Sequence, residues 1–330
     1  MALQATLDRQ VATATQRTVH LSTYWKVFAL TLIAIAVISA PNLVDPIMRY
    51  DDYPAFFAEP EGFWSKTLSE GRWLNYAWHI RGIVTPAWLN FAIYQVIWAL
   101  FAAAFAIAVI PGDNRIWFAC VLALTILIAP PALLMAPWFN TLLPGTALLA
   151  TYAVIATRVP QFTLRALLPI FTLVTLFAYT TFPIIILMIC LVRTERRSLF
   201  DLTGLVAMFG ASFIVSLLAV YAINWQVHGV FGVVLDISRS PNPAHSFSDM
   251  ADNIWLWAAT MEIFIDKMSF NSTPVFIFHL AMLISATVVI ARRSHLEALY
   301  IHTGLFLGMA LITVQVVKLG VTIPIRAFHF

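Results

Sequence analysis

The stretch RYDDYPAFFAEPEGFWSKTLSEGRWLNYAW, residues 49–78, is the most polar long segment of an otherwise apolar chain of 330 residues, and it opens on two adjacent aspartates, Asp51 and Asp52. A carboxylate held beside a hydroxyl can act as a general base, taking the proton as the oxygen attacks an electrophile. Neighbouring residues diverge by about 100° on a helix and about 180° on a strand, so the two side chains cannot both face one substrate in regular structure. One is expected to be the base and the other its support. If both approach the site their titrations couple, and the sequence does not separate them beyond a slight preference for Asp52. The competing reading is that YDDYP caps a loop helix or solvates the end of an apolar run, since aspartate is favoured before helices.

The elements that would position this pair are read from composition. Hydrophobic residues make up 61% of the chain and charged residues only 11%, with a mean hydropathy of +0.85, which belongs to the membrane class. The expected fold is an all-α polytopic membrane bundle. Apolar runs at 25–43, 83–110, 116–134, 142–157, 166–178, 181–192, 202–226, 273–291 and 296–317 predict about nine transmembrane helices. Residues 1–24 have no apolar core ahead of the first run, so they are read as a cytoplasmic segment and not a cleaved signal peptide. Residues 25–330 are read as one transmembrane domain.

Charge sets the orientation. The run ALLPIFTLVTLFAYTTFPIIILMICLV (166–192) is either one long helix or two short ones meeting near Tyr179–Pro183. With two helices, the loops around Arg115, Arg158, Arg165, Arg193, Arg196, Arg197, Arg292 and Arg293 share one side with the N-terminus. That side then carries more than half of the 19 Lys and Arg residues, as the positive-inside rule expects. Most acidic residues fall on the far side, in long loops at 44–82 and 227–272. Residues 249–268 show helical apolar spacing, predicting an amphipathic helix lying along the membrane surface.

Several function classes lose their signatures. The formal charge of +3 and the lack of basic clusters interleaved with aromatics argue against nucleic acid as a partner. Cys120 and Cys190 sit in apolar runs without ligand or base partners, so both read as packing residues. His279 and His302 read as hydrogen-bonded packing groups. No phosphate-binding glycine loop, dinucleotide fingerprint, zinc-protease motif or nucleophile elbow occurs. The apolar runs hold almost no ionisable residue, whereas transporters usually place such groups near the midplane.

The order of elements resembles a known family. An apolar run, then DD at its outer end, then an aromatic-rich segment with GRW about twenty residues later is similar to the membrane glucosyltransferases that decorate bacterial O-antigen in serotype-converting phages. These belong to the polyprenyl-phosphate-sugar-dependent GT-C class. APPALLMAPWFNTLLPGTALLA (129–150) resembles the family's proline-rich turn followed by an aromatic and an Asp-Ser-Leu-like step, LFAYTTFPIIILMICLVR (176–193) occupies the place of its Tyr-Gln hairpin, and TIPIRAFHF (322–330) resembles its late Pro-Arg element. Asn140 stands where the pattern leads one to expect aspartate, and Thr180 where it leads to glutamine. Relatives are expected to continue through further spans past the position of Phe330.

The resemblance implies transfer of a hexose, glucose by the family pattern, from a polyprenyl-phosphate donor to O-antigen or another surface glycan. The site would face the extracytoplasmic side of the bacterial inner membrane, amid membrane lipids. Asp51 and Asp52 would be catalytic. Arg72 and Arg326 would bind the donor phosphate, for which arginine's planar fork is suited, and Trp138, Asn140 and Tyr179 would line the substrate. No cofactor or metal is expected, because one aspartate pair in one loop is a thin cage for a divalent cation. A lipid-phosphate leaving group departs without protonation, so one carboxylate base suffices, unlike glycoside hydrolysis with its second carboxyl. An O-antigen polymerase is a second enzymatic reading, and a lipid-linked sugar flippase or other transporter is the alternative from a different class.

Overall fold

The computed structural model describes residues 21–56, 59, 61–110, 115–195, 197–237 and 240–328. The proposed cytoplasmic segment therefore lies, up to residue 20, outside the described residues. Arg196 and most of the turn before Arg115 lie outside them too. All regular structure among the described residues is helical.

Helix α1 (Leu21–Ile38) and the short α2 (Ala40–Val44) lead into the polar stretch. That stretch folds as a 3-10 turn (Tyr50–Asp52) followed by α3 (Tyr53–Phe56), α4 (Glu61–Glu70) and α5 (Trp73–His79). The apolar chain then forms α6 (Ala87–Val109), α7 (Ile116–Ile128), α8 (Pro130–Met135), a 3-10 turn (Ala136–Trp138), α9 (Phe139–Ala156), α10 (Gln161–Leu176), α11 (Phe182–Arg193) and α12 (Leu199–His228). After a long loop come α13 (Phe247–Asp252), α14 (Ile254–Met268), α15 (Thr273–Arg293), α16 (His295–Leu319) and a last 3-10 turn (Ile325–Ala327).

The core is built on α6 against α9. Ala99, Ala102, Ala103 and Ala106 are all buried on α6, and small residues let helix backbones approach closely where no water drives association. Helices α1 and α7 close one flank, α10 and α11 the other, α12 packs on α10, and α16 packs on α11. Helix α15 touches the rest mainly through α16 and buries no residue of its own, so most of its apolar surface lies exposed.

Among the described residues, five helical segments are long and apolar enough to cross a membrane: Ala87–Val109, Pro130–Ala156, Leu199–His228, Thr273–Arg293 and His295–Leu319. Four further apolar helices there are shorter, at Ser22–Ile38, Ile116–Ile128, Gln161–Leu176 and Phe182–Arg193. The 27-residue run is indeed two helices. At about 1.5 Å per residue, the 12 residues of α11 cover only about 18 Å, against roughly 30 Å of hydrocarbon. Almost every residue from Phe182 to Leu191 is buried, so α11 is a core helix wrapped by protein.

Three predicted elements break where one was expected, each for a local reason; the run 25–43 divides at Ser39, after which Pro41 stands in the first turn of α2. The run 116–134 is not one helix: α7 stops at Ile128, and Pro130 and Pro131 start α8 at its first positions, because proline fits a helix's first turn but not its interior. The amphipathic segment 249–268 is two helices. Asn253 joins them, fully buried, with its Nδ2 donating to the carbonyls of Asn242 (2.9 Å) and Val317 (3.1 Å). Trp257, Met261 and Phe264 of α14 pack inward around Ile312, Val316 and Phe328, and the Trp257 indole donates to Thr313 Oγ1 at 2.8 Å. Ile254, Trp255, Ile263 and Ile265 stay exposed. Cys120 and Cys190 are buried and unbridged, and His302 is satisfied by Thr287 and the Ala298 carbonyl.

Candidate functional site

The long polar stretch folds back over one end of the bundle, where the α10–α11 turn, the end of α12 and the segment after α16 also arrive. Backbone and side-chain bonds tie these pieces together. Leu74 N–H donates to the Phe177 carbonyl (3.1 Å), Asn75 Nδ2 to the Ala178 carbonyl (2.9 Å), the Trp73 indole to Asn224 Oδ1 (2.8 Å), and Val234 N–H to the Leu68 carbonyl (3.2 Å). Gly71 makes the turn between α4 and α5 at φ +69°, and a Cβ there would lie 2.5 Å from Val220 Cγ1. Only glycine fits both demands, and the turn aims Arg72 inward.

Arg72 enters a cluster of four charges. Asp51 Oδ1 lies 3.7 Å from Lys66 Nζ and Asp51 Oδ2 lies 3.9 Å from Arg72 Nη1. Glu70 Oε1 lies 3.3 Å from Lys66 Nζ, and Glu70 Oε2 pairs closely with Arg72 Nη2. All four side chains are nearly buried. The Arg72 guanidinium also sits over the Tyr179 ring, 5.0 Å from its centroid, a cation–π contact.

Beside this cluster opens a cavity of about 300 Å³. Glu70, Arg72, Tyr179, Thr180, Lys318 and Arg326 give it polar and charged walls, while Leu176, Phe213, Leu217, Leu311 and Val314 make the rest apolar. Three cations and one carboxylate leave the described wall net positive. Arg326 stacks over Trp138 at 4.2 Å, and Arg49 approaches the same ring at 5.7 Å. Lys318 donates to the Ala244 carbonyl. Arg72, Arg326 and Tyr179, far apart in sequence, thus meet on one cavity, with Trp138 under Arg326.

Asp52 has a different place. Its Oδ1 accepts the Thr141 N–H at 2.8 Å and its Oδ2 the Asn140 N–H at 3.1 Å. It therefore caps the first turn of α9 from a distant segment, supplying acceptors for helix N–H groups that have none within the helix. Asp52 is fully buried. Burial pushes its carboxyl up to about 7, against the pull of the bonds from Thr141 and Asn140. The Thr141 hydroxyl donates to the Asp51 carbonyl at 3.1 Å, fixing the backbone that carries Asp51. The two aspartates divide as their adjacency requires, Asp51 toward Lys66 and Arg72, Asp52 toward α9.

Asn140 lies in that second environment and does not line the cavity. Its Oδ1 is approached by Trp78 Nε1 (3.3 Å), Asn90 Nδ2 (3.3 Å) and Arg81 Nη2 (3.5 Å), while its buried Nδ2 has no hydrogen-bond partner. It is a hub joining α5, α6 and α9.

Glu70 and His79 were not singled out from sequence. Glu70 had a signal, standing two residues before Arg72 and four after Lys66, the spacing that pairs charges on a helix. His79 had none: it stacks on Phe63 at 4.3 Å and bonds Thr141 Oγ1 through Nε2 at 3.1 Å. Burial, helped by the Arg81 charge, lowers its imidazole to about 4, so it is neutral near pH 7. Among the described residues no three His, Cys, Asp or Glu side chains converge as a metal site. Comparison of the chain with protein-family models, with curated proteins and with solved structures returns no match.

Proposed function

We propose that the chain is a membrane glycosyltransferase that passes a hexose from a polyprenyl-phosphate donor to O-antigen or another surface glycan. The observation that carries this reading is the cavity at one end of the apolar helices, where Arg72, Lys318 and Arg326 stand against a wall of Leu, Phe and Val side chains. A lipid phosphate needs both: cations for its oxygens and apolar surface for its tail. In this reading the four shorter apolar helices complete about nine crossings, α11 crossing together with its flanking turns inside a sheath of protein rather than against lipid, and the cavity faces the extracytoplasmic side of the bacterial inner membrane.

Chemically, Asp51, which does not itself line the cavity but stands against Arg72 on its wall, exchanges that contact for the acceptor and takes the proton of its hydroxyl as that oxygen attacks the anomeric carbon. The bond from the anomeric carbon to the phosphate oxygen breaks, and its electron pair leaves with the phosphate, whose charge grows by one unit. Arg72 and Arg326 stabilise that growing charge, which makes their contribution larger in the transition state than in the ground state. Asp52 holds Asp51 and the start of α9 in register. Glu70 is the one carboxylate on the described cavity wall, and it balances Arg72 and Lys66 until the donor arrives.

Radiolabelled polyprenyl-phosphate hexose, candidate glycans and the purified full chain in nanodiscs provide the test, with donor binding and sugar transfer measured on the same samples. Loss of a general base typically costs about 10²- to 10⁴-fold in rate with little effect on binding, so Asp51→Asn is expected to keep donor capture and lose transfer. Donor binding by the wild type with no transfer to any acceptor would overturn the transferase reading in favour of lipid-linked sugar transport.

A further inference from the structure

Four aromatic rings gather just beyond the wall of the charged cavity. Trp64 of α4 lies 4.9 Å from Tyr76, 5.8 Å from Trp73 and 4.7 Å from His228, centroid to centroid, and Trp73 lies 5.6 Å from His228. The cluster continues the cavity outward. Val220 stands on the cavity wall, and Asn224 and His228 follow it at single-turn spacing along α12, which sets His228 about 12 Å further on. Trp73 directly follows Arg72 of the same wall. Hydrogen bonds pin the rings in place: the Trp73 indole donates to Asn224 Oδ1 at 2.8 Å, Asn224 Nδ2 donates to the Gly232 carbonyl at 2.6 Å, and His228 Nε2 lies 2.8 Å from Thr67 Oγ1.

Some polar atoms of the cluster point outward. The Thr67 hydroxyl gives its one proton to the Trp64 carbonyl at 2.7 Å, so the His228 Nε2–H is the donor to Thr67, and in the neutral imidazole Nδ1 is then the acceptor. That Nδ1 and the Tyr76 hydroxyl bear no hydrogen bond among the described residues, and neither is shut off from solvent. Trp64 is 37% exposed, with Glu61 and Ser65 exposed beside it on α4. An open ring face with an acceptor and a hydroxyl at its edge complements a sugar, whose C–H face is apolar and whose rim carries hydroxyls. A lipid chain would use the ring face and leave both polar edges unmatched. We propose that Trp64, Tyr76 and His228 form the platform for the acceptor glycan, a sugar ring lying on Trp64 while its hydroxyls meet His228 Nδ1 and the Tyr76 hydroxyl. The role as acceptor subsite rests on the glycosyl-transfer reading; glycan binding at the platform does not.

The test prints O-polysaccharides of several repeat-unit compositions, freed of their lipid, as an array and probes it with the full chain in nanodiscs, without donor. The wild type is expected to bind at least one of them. Trp64→Leu keeps an apolar side chain but removes the ring and should weaken that binding about tenfold, the scale of the apolar area one ring covers, while Trp64→Phe restores most of it. Tyr76→Phe removes only a hydroxyl that bonds nothing within the described fold and should weaken binding a few-fold; it decides the matter if the Trp64→Leu chain does not fold. No glycan bound by the wild type, or binding unchanged in both Trp64→Leu and Tyr76→Phe, would mean that the rings are an aromatic belt seated among lipid headgroups, and would overturn the proposal. Sugar transfer with an unchanged acceptor KM in Trp64→Leu would overturn the platform and leave the transferase reading standing. Glycan binding that depends on Trp64 in a chain that transfers no sugar would do the reverse.

Discussion

Asp52 and His79 meet on one residue: the Thr141 N–H donates to Asp52 Oδ1 at 2.8 Å, and the Thr141 hydroxyl bonds His79 Nε2 at 3.1 Å. Burial moves the two groups in opposite directions, Asp52 up to about 7 and His79 down to about 4. Asp52 holds its proton more tightly in the folded state, so its contribution to stability is complete below the ordinary carboxyl value near 4 and is lost as pH rises through about 7. His79 resists protonation in the folded state. Its contribution is present above the ordinary imidazole value near 6.5 and is lost as pH falls toward 4.

The two slopes oppose each other between about pH 4 and 6.5, each approaching roughly 1.4 kcal/mol per pH unit. Single substitutions should separate them. Asp52→Asn is expected to leave a protein that loses stability on acidification, and His79→Gln one that loses stability as the pH rises toward 7. Thermal unfolding in nanodiscs across that range reads the effect, and parallel profiles for the two variants would contradict the assignment.

Glu70 and Arg72 make the second prediction. Because Glu70 competes with any anion for Arg72 and Lys66, Glu70→Gln should tighten donor binding by a few-fold, the scale of one partly screened charge pair. Arg72→Ala and Arg326→Ala should each weaken it by about ten- to a hundredfold, the value of a charge-assisted contact. Donor titration on purified variants measures all three. If Glu70→Gln instead abolishes transfer with binding intact, the base is Glu70 and not Asp51.

The third concerns Gly145 of α9, which lets the α10–α11 turn sit against the helix. A Cβ at this position would lie 2.6 Å from the Phe182 ring and 2.7 Å from Ala178 Cβ. Overpacking of this kind costs typically about 1 to 3 kcal/mol. Gly145→Ala is expected to lower the unfolding temperature and, by displacing Tyr179 from Arg72, to weaken donor binding as well. Unchanged values of both would show that the turn yields at no cost.

The fourth is topological. Cysteines placed at 180 and 195, in a chain whose Cys120 and Cys190 have been replaced by alanine, should react with an impermeant thiol reagent from opposite faces of sealed vesicles. Reaction from the same face would remove the charge argument that sets the cavity on the extracytoplasmic side.

The sequence by itself determined the class of this protein. Its apolar content and the spacing of its runs led to a fold that is all-helical among the described residues, with helices long and apolar enough to cross a membrane, because lipid admits only backbone that satisfies its own hydrogen bonds. It also located the polar stretch of residues 49–78 and the divergence of the Asp51 and Asp52 side chains, since adjacent residues must point apart. Charge placement separated α10 from α11. Pro130, Pro131 and Asn253 ended elements that periodicity alone had run together, because the pattern of apolar residues reports which face is buried and not where the backbone turns.

What the tertiary structure alone decided is which residues meet. Arg72, Tyr179 and the Lys318–Arg326 stretch come from three distant segments, and no local pattern records that they share a cavity. Asp52 caps α9 across 89 positions of sequence, so its role depends on where a remote helix begins. Glu70 was placed by the turn at Gly71, and His79 by the space beneath Phe63. Meetings of this kind are a property of a residue's surroundings and not of its type, so only the packing of remote helices against one another brings them about.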